Sequence, residues 1–314
     1  LSRSPFLWRT HKGTRPMSKR TGLIFALGAA FFYGVSTITG KMSYVGGGNP
    51  VALSFYRNLI SVPLLFVVLK LRKTDLSITR REAVGLVWLG FLGGFVTGVL
   101  IYKSYTLISV GLSTCAHFSF PVILAVIYAA VYKEKFSRTK ILSLALGIAG
   151  IWFFLENDAD MDPLGILTAL LSGFTYAAYL IVMDRRGLKA MDGYKLSFYC
   201  CIFSALWLGF FGLVRGYQFQ GILGSNAWMF IAATAVLVSM LGNTMIPVAV
   251  RNAGATVTGI AGILEPVTSV LLGVVLLGEP FGFRSALGAL CVLSATILLG
   301  LEREPAGNME KEAT

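Results

Sequence analysis

The apolar pattern of this chain is written twice, and each copy carries an odd number of segments long enough to cross a membrane. Gly22, Ala26, Leu27, Phe31 and Tyr33 recur 143 positions later as Gly165, Ala169, Leu170, Phe174 and Tyr176. Leu53, Ser54, Phe55 and Tyr56 recur unchanged as Leu196, Ser197, Phe198 and Tyr199 at the same offset. Further on the offset becomes 145, where Pro121, Glu134 and Phe136 match Pro266, Glu279 and Phe281. Two copies of one design that each cross a bilayer an odd number of times must lie upside down relative to each other. Such inverted repeats can exchange roles, and so open a central site to either side of a membrane in turn.

Apolar residues make up 55% of the chain and charged residues 13%, about half the charged share of a soluble domain. About 20 apolar residues in a helix span a hydrocarbon layer of roughly 30 Å. Segments of that kind fall near 21–44, 50–69, 83–105, 109–132 and 140–155. Five more fall near 163–183, 194–214, 226–250, 255–277 and 284–301. The expected fold is therefore an all-α integral membrane protein of ten transmembrane helices in two inverted five-helix repeats. A count of nine or eleven would follow from misreading the short fifth or tenth segment.

The net charge of +12 would suggest nucleic acid in a soluble protein, but here its placement reads as topology. Lys19, Arg20, Arg72, Lys73, Arg80, Arg81, Lys133, Lys135, Arg138, Lys140, Arg185, Arg186 and Lys189 lie in alternate loops, on the same side as both termini. The opposite loops carry Lys41, Lys103, Arg215 and Arg284. This is the positive-inside pattern, and it predicts that both termini are cytoplasmic. The acidic segment Glu156, Asp158, Asp160, Asp162 then falls outside and joins the halves. The division expected is a basic disordered arm at 1–20, a first repeat at 21–156, a linker at 157–162, a second repeat at 163–302 and a tail at 303–314. The arm has no apolar core that would make it a cleaved signal peptide, and Met17 is a candidate natural start. Cys115, Cys200, Cys201 and Cys291 all lie inside predicted spans, without zinc-ligand spacing, and read as small packing residues.

Gly90, Gly94 and Gly98 place small residues at four-residue spacing on the third span, a close-packing face for another helix. In the fourth and ninth spans, stretches rich in small and hydroxyl residues run into Pro121 and Pro266. Proline removes a backbone donor and clashes with the preceding turn, so each helix is expected to bend there. These two bends are either a matched hinge or merely a fit to neighbouring helices. Glu134 and Glu279, each 13 residues beyond its proline, are expected to cap the first turn of the short helix that follows.

Two copies of a five-helix unit, each with a small-residue helix running into Pro and an apolar stretch ending in Glu before a short last helix, resemble the EamA-type transporters of the drug/metabolite transporter superfamily. The strongest pieces are Phe120-Pro121 to Glu134 and Leu264-Glu265-Pro266 to Leu277-Gly278-Glu279. The resemblance covers roughly residues 20–302. It implies a carrier working by alternating access, with a central cavity lined by the first four helices of each half and the fifth at the edge. Relatives of this kind carry amino acids, amines, nucleotide sugars, drugs and other metabolites, so the resemblance leaves the cargo open.

Cargo chemistry is sought where the repeat is broken. Ionisable groups at membrane depth cost at least about 2.5 kcal/mol, which makes each a functional candidate. Arg57 faces Cys200 in the other half, Glu265 faces Phe120, and His117 faces Gly262. Arg57 suits a carboxylate or phosphate, or else satisfies loop carbonyls and snorkels outward. Glu265 suits an ammonium group or a transported proton, or else stabilises the bend at Pro266. His117 is a titratable ring or hydrogen-bonded packing. Tyr33 and Tyr176 form a repeat-related pair that could supply opposite cavity walls, and Asn243 is a further polar candidate. Lys103 reads as a snorkelling anchor.

An intramembrane enzyme would need a nucleophile with a base, or a metal set, and the chain offers neither; a Gly-Lys-Ser/Thr nucleotide loop is likewise missing. The expected function is a secondary transporter of a small organic metabolite, an amino acid or related zwitterion or amine, in the cell membrane. A lipid flippase or a non-transporting receptor on the same scaffold is the alternative. No cofactor and no nucleic acid are expected. The partners expected are the substrate and the lipid bilayer, and the glycine faces leave a homodimer open.

Overall fold

A computed structural model describes residues 18–132, 138–155, 162–188, 191–216, 224–253, 258 and 261–301. Helices account for every regular element among them. The starts of these helices are written in the sequence as side-chain caps. Ser18 accepts from Thr21 N–H before α1 (Lys19–Met42), and Asn49 accepts from Val51 and Ala52 N–H before α2 (Pro50–Leu71). Thr79 and Glu82 form a reciprocal capping box at α3 (Arg80–Leu89). Ser109 opens α5 (Val110–His117), Asp162 opens α8 (Pro163–Arg185) and Asp192 opens α9 (Gly193–Arg215) in the same manner. Each cap satisfies amides that the first helical turn leaves without partners.

Two spans depart from a plain α-helix at corresponding places. From α3 the chain passes through a π-helical segment, Gly90–Thr97, into α4 (Gly98–Ser104). Likewise α10 (Ser225–Ala235) passes through Val236–Gly242 into α11 (Asn243–Ala253). The fourth span is interrupted more sharply than a proline bend. After α5 the chain turns at Phe118 and Ser119 and restarts as α6 (Phe120–Tyr132), with Pro121 in the new first turn, where its missing donor costs nothing. Pro266 similarly sits in the first turn of α12 (Leu264–Leu277), after a turn at Gly262 and Ile263. The remaining helices are α7 (Arg138–Leu155) and α13 (Phe283–Leu301). Seven described helices are long and apolar enough to cross a membrane, and Ile141–Gly150, Leu264–Leu277 and Phe283–Leu298 are shorter apolar stretches.

The halves interleave. α1 packs on α11, α12 and the second π segment, whereas its repeat mate α8 packs on α4, α5, α6 and the first π segment. α2 lies on α9, and α7 on α13 at the edge. Many large apolar side chains point outward, as with Ile24, Trp152, Leu206 and Phe210, while others such as Leu53, Leu65, Leu86 and Leu208 are fully buried. Ala26, Ala29, Ala30, Ser54, Ser61, Ser172, Ser204 and Thr234 share the interior with them. The small and hydroxyl residues there suit lipid, which rewards close backbone approach and interhelical hydrogen bonds. The hydroxyls pair across helices: Thr37 with Ser269 at 2.9 Å, Thr39 with Thr234 at 2.7 Å, Ser61 with Ser239 at 2.9 Å and Thr97 with Thr175 at 2.7 Å. Such bonds contribute on the order of 0.6 kcal/mol each. The glycine face of the third span is a packing face: Gly90 and Gly94 abut Phe203 and Ser204 of α9, and Gly98 abuts Ser54 of α2.

Candidate functional site

The interleaving brings the first helices of both halves to the middle of the molecule. Tyr33, halfway along α1, donates its hydroxyl proton to Asn243 Oδ1 at 2.6 Å. Asn243 Nδ2 in turn donates to Ser197 Oγ at 3.2 Å. Asn243 thus ties α1, α9 and α11 together at the point where the second π segment ends. A side chain at Gly242 would collide with the Tyr33 ring, so the bare backbone there lets the ring pass.

Tyr176, the repeat mate, sits in a wall of rings. It stacks on Tyr179 with centroids 5.5 Å apart and planes at 12°, and stands edge-on to Phe120 at 4.8 Å. His117 lies 5.4 Å from Tyr176 and 5.8 Å from Phe120. Its Nδ1 is 2.8 Å from Ser172 Oγ, whose own proton goes to the Ala169 carbonyl at 2.6 Å. The hydroxyl therefore accepts and Nδ1 carries a hydrogen.

Two ionisable groups of opposite type flank these rings. Arg57, two turns into α2, is only 8% exposed, and its Nε has no hydrogen-bond partner. Its guanidinium lies 5.9 Å from the centre of the Tyr102 ring, and among the described residues it forms no ion pair. Glu265, at the start of α12, is half-buried and also makes no ion pair among them. Tyr33 is within electrostatic reach of Tyr176, Glu265 and Arg57, and Tyr176 and Tyr105 are within reach of Glu265. Tyr33, Arg57, Tyr176, Asn243 and Glu265 thereby share one region, with His117 on its aromatic side.

Toward the face where α1 ends, a layer of tyrosines covers this region. Tyr102 and Tyr105 are buried, with centroids 5.8 Å apart, and Tyr44 donates to the Tyr102 carbonyl at 2.8 Å. Above the layer, the Glu279 carboxylate accepts from Val110 N–H, with its two oxygens at 2.8 and 3.0 Å. This corrects the expectation for Glu279. It caps α5 of the first half, not the helix that follows it, because Gly278 turns the chain at φ 62° and sends the carboxylate back across α12. Its repeat mate Glu134 lies outside the described residues, as do residues 1–17 of the basic arm and most of the acidic linker, whereas Lys19 and Arg20 already belong to α1.

The comparisons with known proteins agree with this architecture. The sequence model of the EamA-like transporter family matches twice, over residues 20–155 and 163–301. The chain belongs to the EamA-like transporter family. Among the relatives of this EamA-like chain is the uncharacterized transporter YetK of Bacillus subtilis, 22% identical over 92% of this chain and 89% of its own length. YwfM of the same organism, also an uncharacterized transporter, is 27% identical over 90% of this chain and 94% of its own. GDP-fucose transporter 1 of Dictyostelium discoideum is 25% identical over 55% of this chain and 48% of its own. A crystal structure 13% identical in sequence shares the fold with a TM-score of 0.64, covering 89% of this chain and 97% of that one. The protein is a multi-pass membrane transporter of two EamA repeats.

Tyr102, Tyr105, Tyr179 and the Lys41–Glu279 contact were not among the residues singled out from sequence. Tyr179 carried a signal, since it follows Tyr176 by one helical turn and so shares its face. The others rest on contacts between distant parts of the chain.

Proposed function

We propose that this EamA-like protein is a secondary transporter that carries a small organic zwitterion, an amino acid or a close analogue, through the region between Arg57 and Glu265. The supporting observation is that two ionisable groups of opposite type lie within predicted spans, near one tyrosine, and form no ion pair with each other or with another side chain among the described residues; Arg57 has only the Tyr102 ring beside it. Leaving each uncompensated costs at least about 2.5 kcal/mol, and a bound zwitterion would offset both. Arg57 grips the carboxylate, Glu265 receives the ammonium group, and Tyr33 and Tyr176 form the walls between them. Arg57 alone would also suit the phosphates of a nucleotide sugar, but Glu265 would repel them. A flippase for a zwitterionic lipid headgroup, the other reading, would use the same two groups, and uptake of a water-soluble zwitterion driven by its own gradient separates the two.

The scaffold in this reading has ten spans in two inverted repeats, both termini in the cytoplasm, and lies in the cell membrane. The interruptions before Pro121 and Pro266 are the hinges of alternating access. The purified chain is first screened for zwitterions that raise its melting temperature, and the hit is then used for uptake in proteoliposomes. Arg57→Ala and Glu265→Ala each abolish uptake while the folded protein is retained. Normal uptake by both variants overturns the site, and labelling that places Asp160 and a C-terminal tag on one face of the bilayer overturns the topology.

A further inference from the structure

The cluster at Glu279 joins pieces of the chain that an alternating-access carrier has to separate. Glu279 follows α12 in the second half, yet its partners belong to the first. It accepts from Val110 N–H at the start of α5, and it lies 3.8 Å from Lys41 Nζ at the end of α1. Lys41 Nζ also donates to the Tyr105 carbonyl at the end of α4. One carboxylate and one ammonium thus hold three first-half helix ends against the second half. Room for the carboxylate is built in: a Cβ at Gly273 would lie 2.5 Å from Glu279 Oε2.

The arrangement sits directly over the proposed cargo region. Lys41 is eight residues beyond Tyr33 on α1, about 12 Å along the helix at 1.5 Å per residue. Between them lie the buried rings of Tyr102 and Tyr105, and Arg57 faces the first of these. Anything passing between the cargo region and this face has to part that layer, which Lys41 and Glu279 hold from above.

The same contacts are poised to release. The side chains of Lys41 and Glu279 remain 31% and 11% exposed, and they border an open cleft of ≈ 550 Å³ with Tyr44, Val45, Leu277 and Pro280. When the pair separates, both charges meet water, so opening avoids the penalty of stranding a charge in a dry interior. The α5 amide that Glu279 caps gains water in the same step.

We propose that Glu279, with Lys41, is the latch of the gate on this face, and that its release from Val110 is the step that opens the cargo region there. This rests on the alternating-access reading above, so its test reads accessibility and not transport. In a chain whose four cysteines are replaced, Glu265→Cys serves as the reporter and reacts with a membrane-impermeant thiol reagent in right-side-out and in inverted vesicles. A separate Val45→Cys chain, whose exposed position borders the latch, shows which vesicles present this face. Glu279→Ala speeds labelling of the reporter from the latch face about tenfold, the scale of losing a charge-assisted hydrogen bond. Lys41→Met, which keeps the amide cap, speeds it less, and Lys103→Gln, an exposed cation on the same face, leaves it unchanged. Labelling from the latch face that is no faster in Glu279→Ala and Lys41→Met than in the parent overturns the proposal. Should Glu279→Ala fail to fold, Lys41→Met decides alone. A wrong topology would show instead as Val45→Cys reacting in the other vesicle orientation.

Discussion

Several charged groups at the two rims of the molecule are engaged, whereas the ionisable groups at its centre meet no counter-charge among the described residues. At one rim Lys41 meets Glu279. At the other, Arg72 lies 3.6 Å from Asp192 and 4.5 Å from the centre of the Tyr194 ring, while Lys195 donates to the Ser77 carbonyl at 2.6 Å and Tyr199 to the Leu76 carbonyl. At the centre, Arg57 and Glu265 form no ion pair among the described residues, and Arg57 has only the Tyr102 ring 5.9 Å away, although the dry surroundings make pairing far more valuable there. The rims have water to fall back on and still engage side-chain and backbone partners; the centre, away from water, brings no counter-charge to either group among the described residues. The difference separates groups that hold the shape from groups kept free for something that comes and goes.

The comparison breaks first, if it breaks at all, at Arg57. Arg57→Lys keeps the charge but loses the planar fork, so uptake of the identified cargo falls at least about tenfold. Near-normal uptake would make Arg57 a structural residue like those of the rims. Asn243→Ala comes next: it strands the Tyr33 hydroxyl and lowers stability by about 1 kcal/mol, read as a shift in detergent melting temperature, and weakens cargo binding by misplacing the ring. Arg72→Ala tests the rim itself. An exposed pair contributes roughly 0–1 kcal/mol, so melting temperature and uptake stay close to the parent, and a loss as large as that of Arg57→Lys would erase the distinction. Asp75 gives the smallest effect. Hydrogen bonds from the Ser77 hydroxyl and backbone N–H hold its carboxyl below the usual carboxylate range. A depressed folded value stabilises above the unfolded pKa of about 3.9 and is lost as pH falls through the folded value. The slight advantage of the parent over Asp75→Asn therefore disappears on acidification, followed by thermal melts between about pH 5 and 3.

How much of this was legible in the sequence depended on the range of the interaction. Span starts were placed from the apolar runs, to within a few residues, and the caps that set them are local too: Ser18, Asn49, Thr79, Ser109, Asp162 and Asp192 each bond amides two or three residues ahead. The two family repeats were readable because whole motifs recur, first at an offset of 143 and then of 145. Arg57, Glu265, Tyr33 and Tyr176 could be singled out by type and depth, but not placed side by side. The Tyr33–Asn243 bond spans 210 residues and the Glu279–Val110 bond 169, distances at which a single sequence carries no pairing signal. Glu279 was assigned to the nearest helix for that reason, and the partner it found was the amide its position in space allowed. The π segments were hidden differently. Gly90, Gly94 and Gly98 have the spacing of an ordinary α-helical stripe, and that spacing carries no mark of the widened turn at Gly90–Thr97.

Those two widened turns alter how the spans can be mapped. A residue taken up by a looser coil swings everything beyond it by about 100° about the axis, since an α-helix advances 3.6 residues per turn. A periodic pattern of scanning mutants or spin labels begun in α3 will fall out of phase by α4, and the same will happen from α10 to α11. Each end needs its own helical wheel, and a wheel drawn straight through would assign lipid contacts to side chains that face the interior.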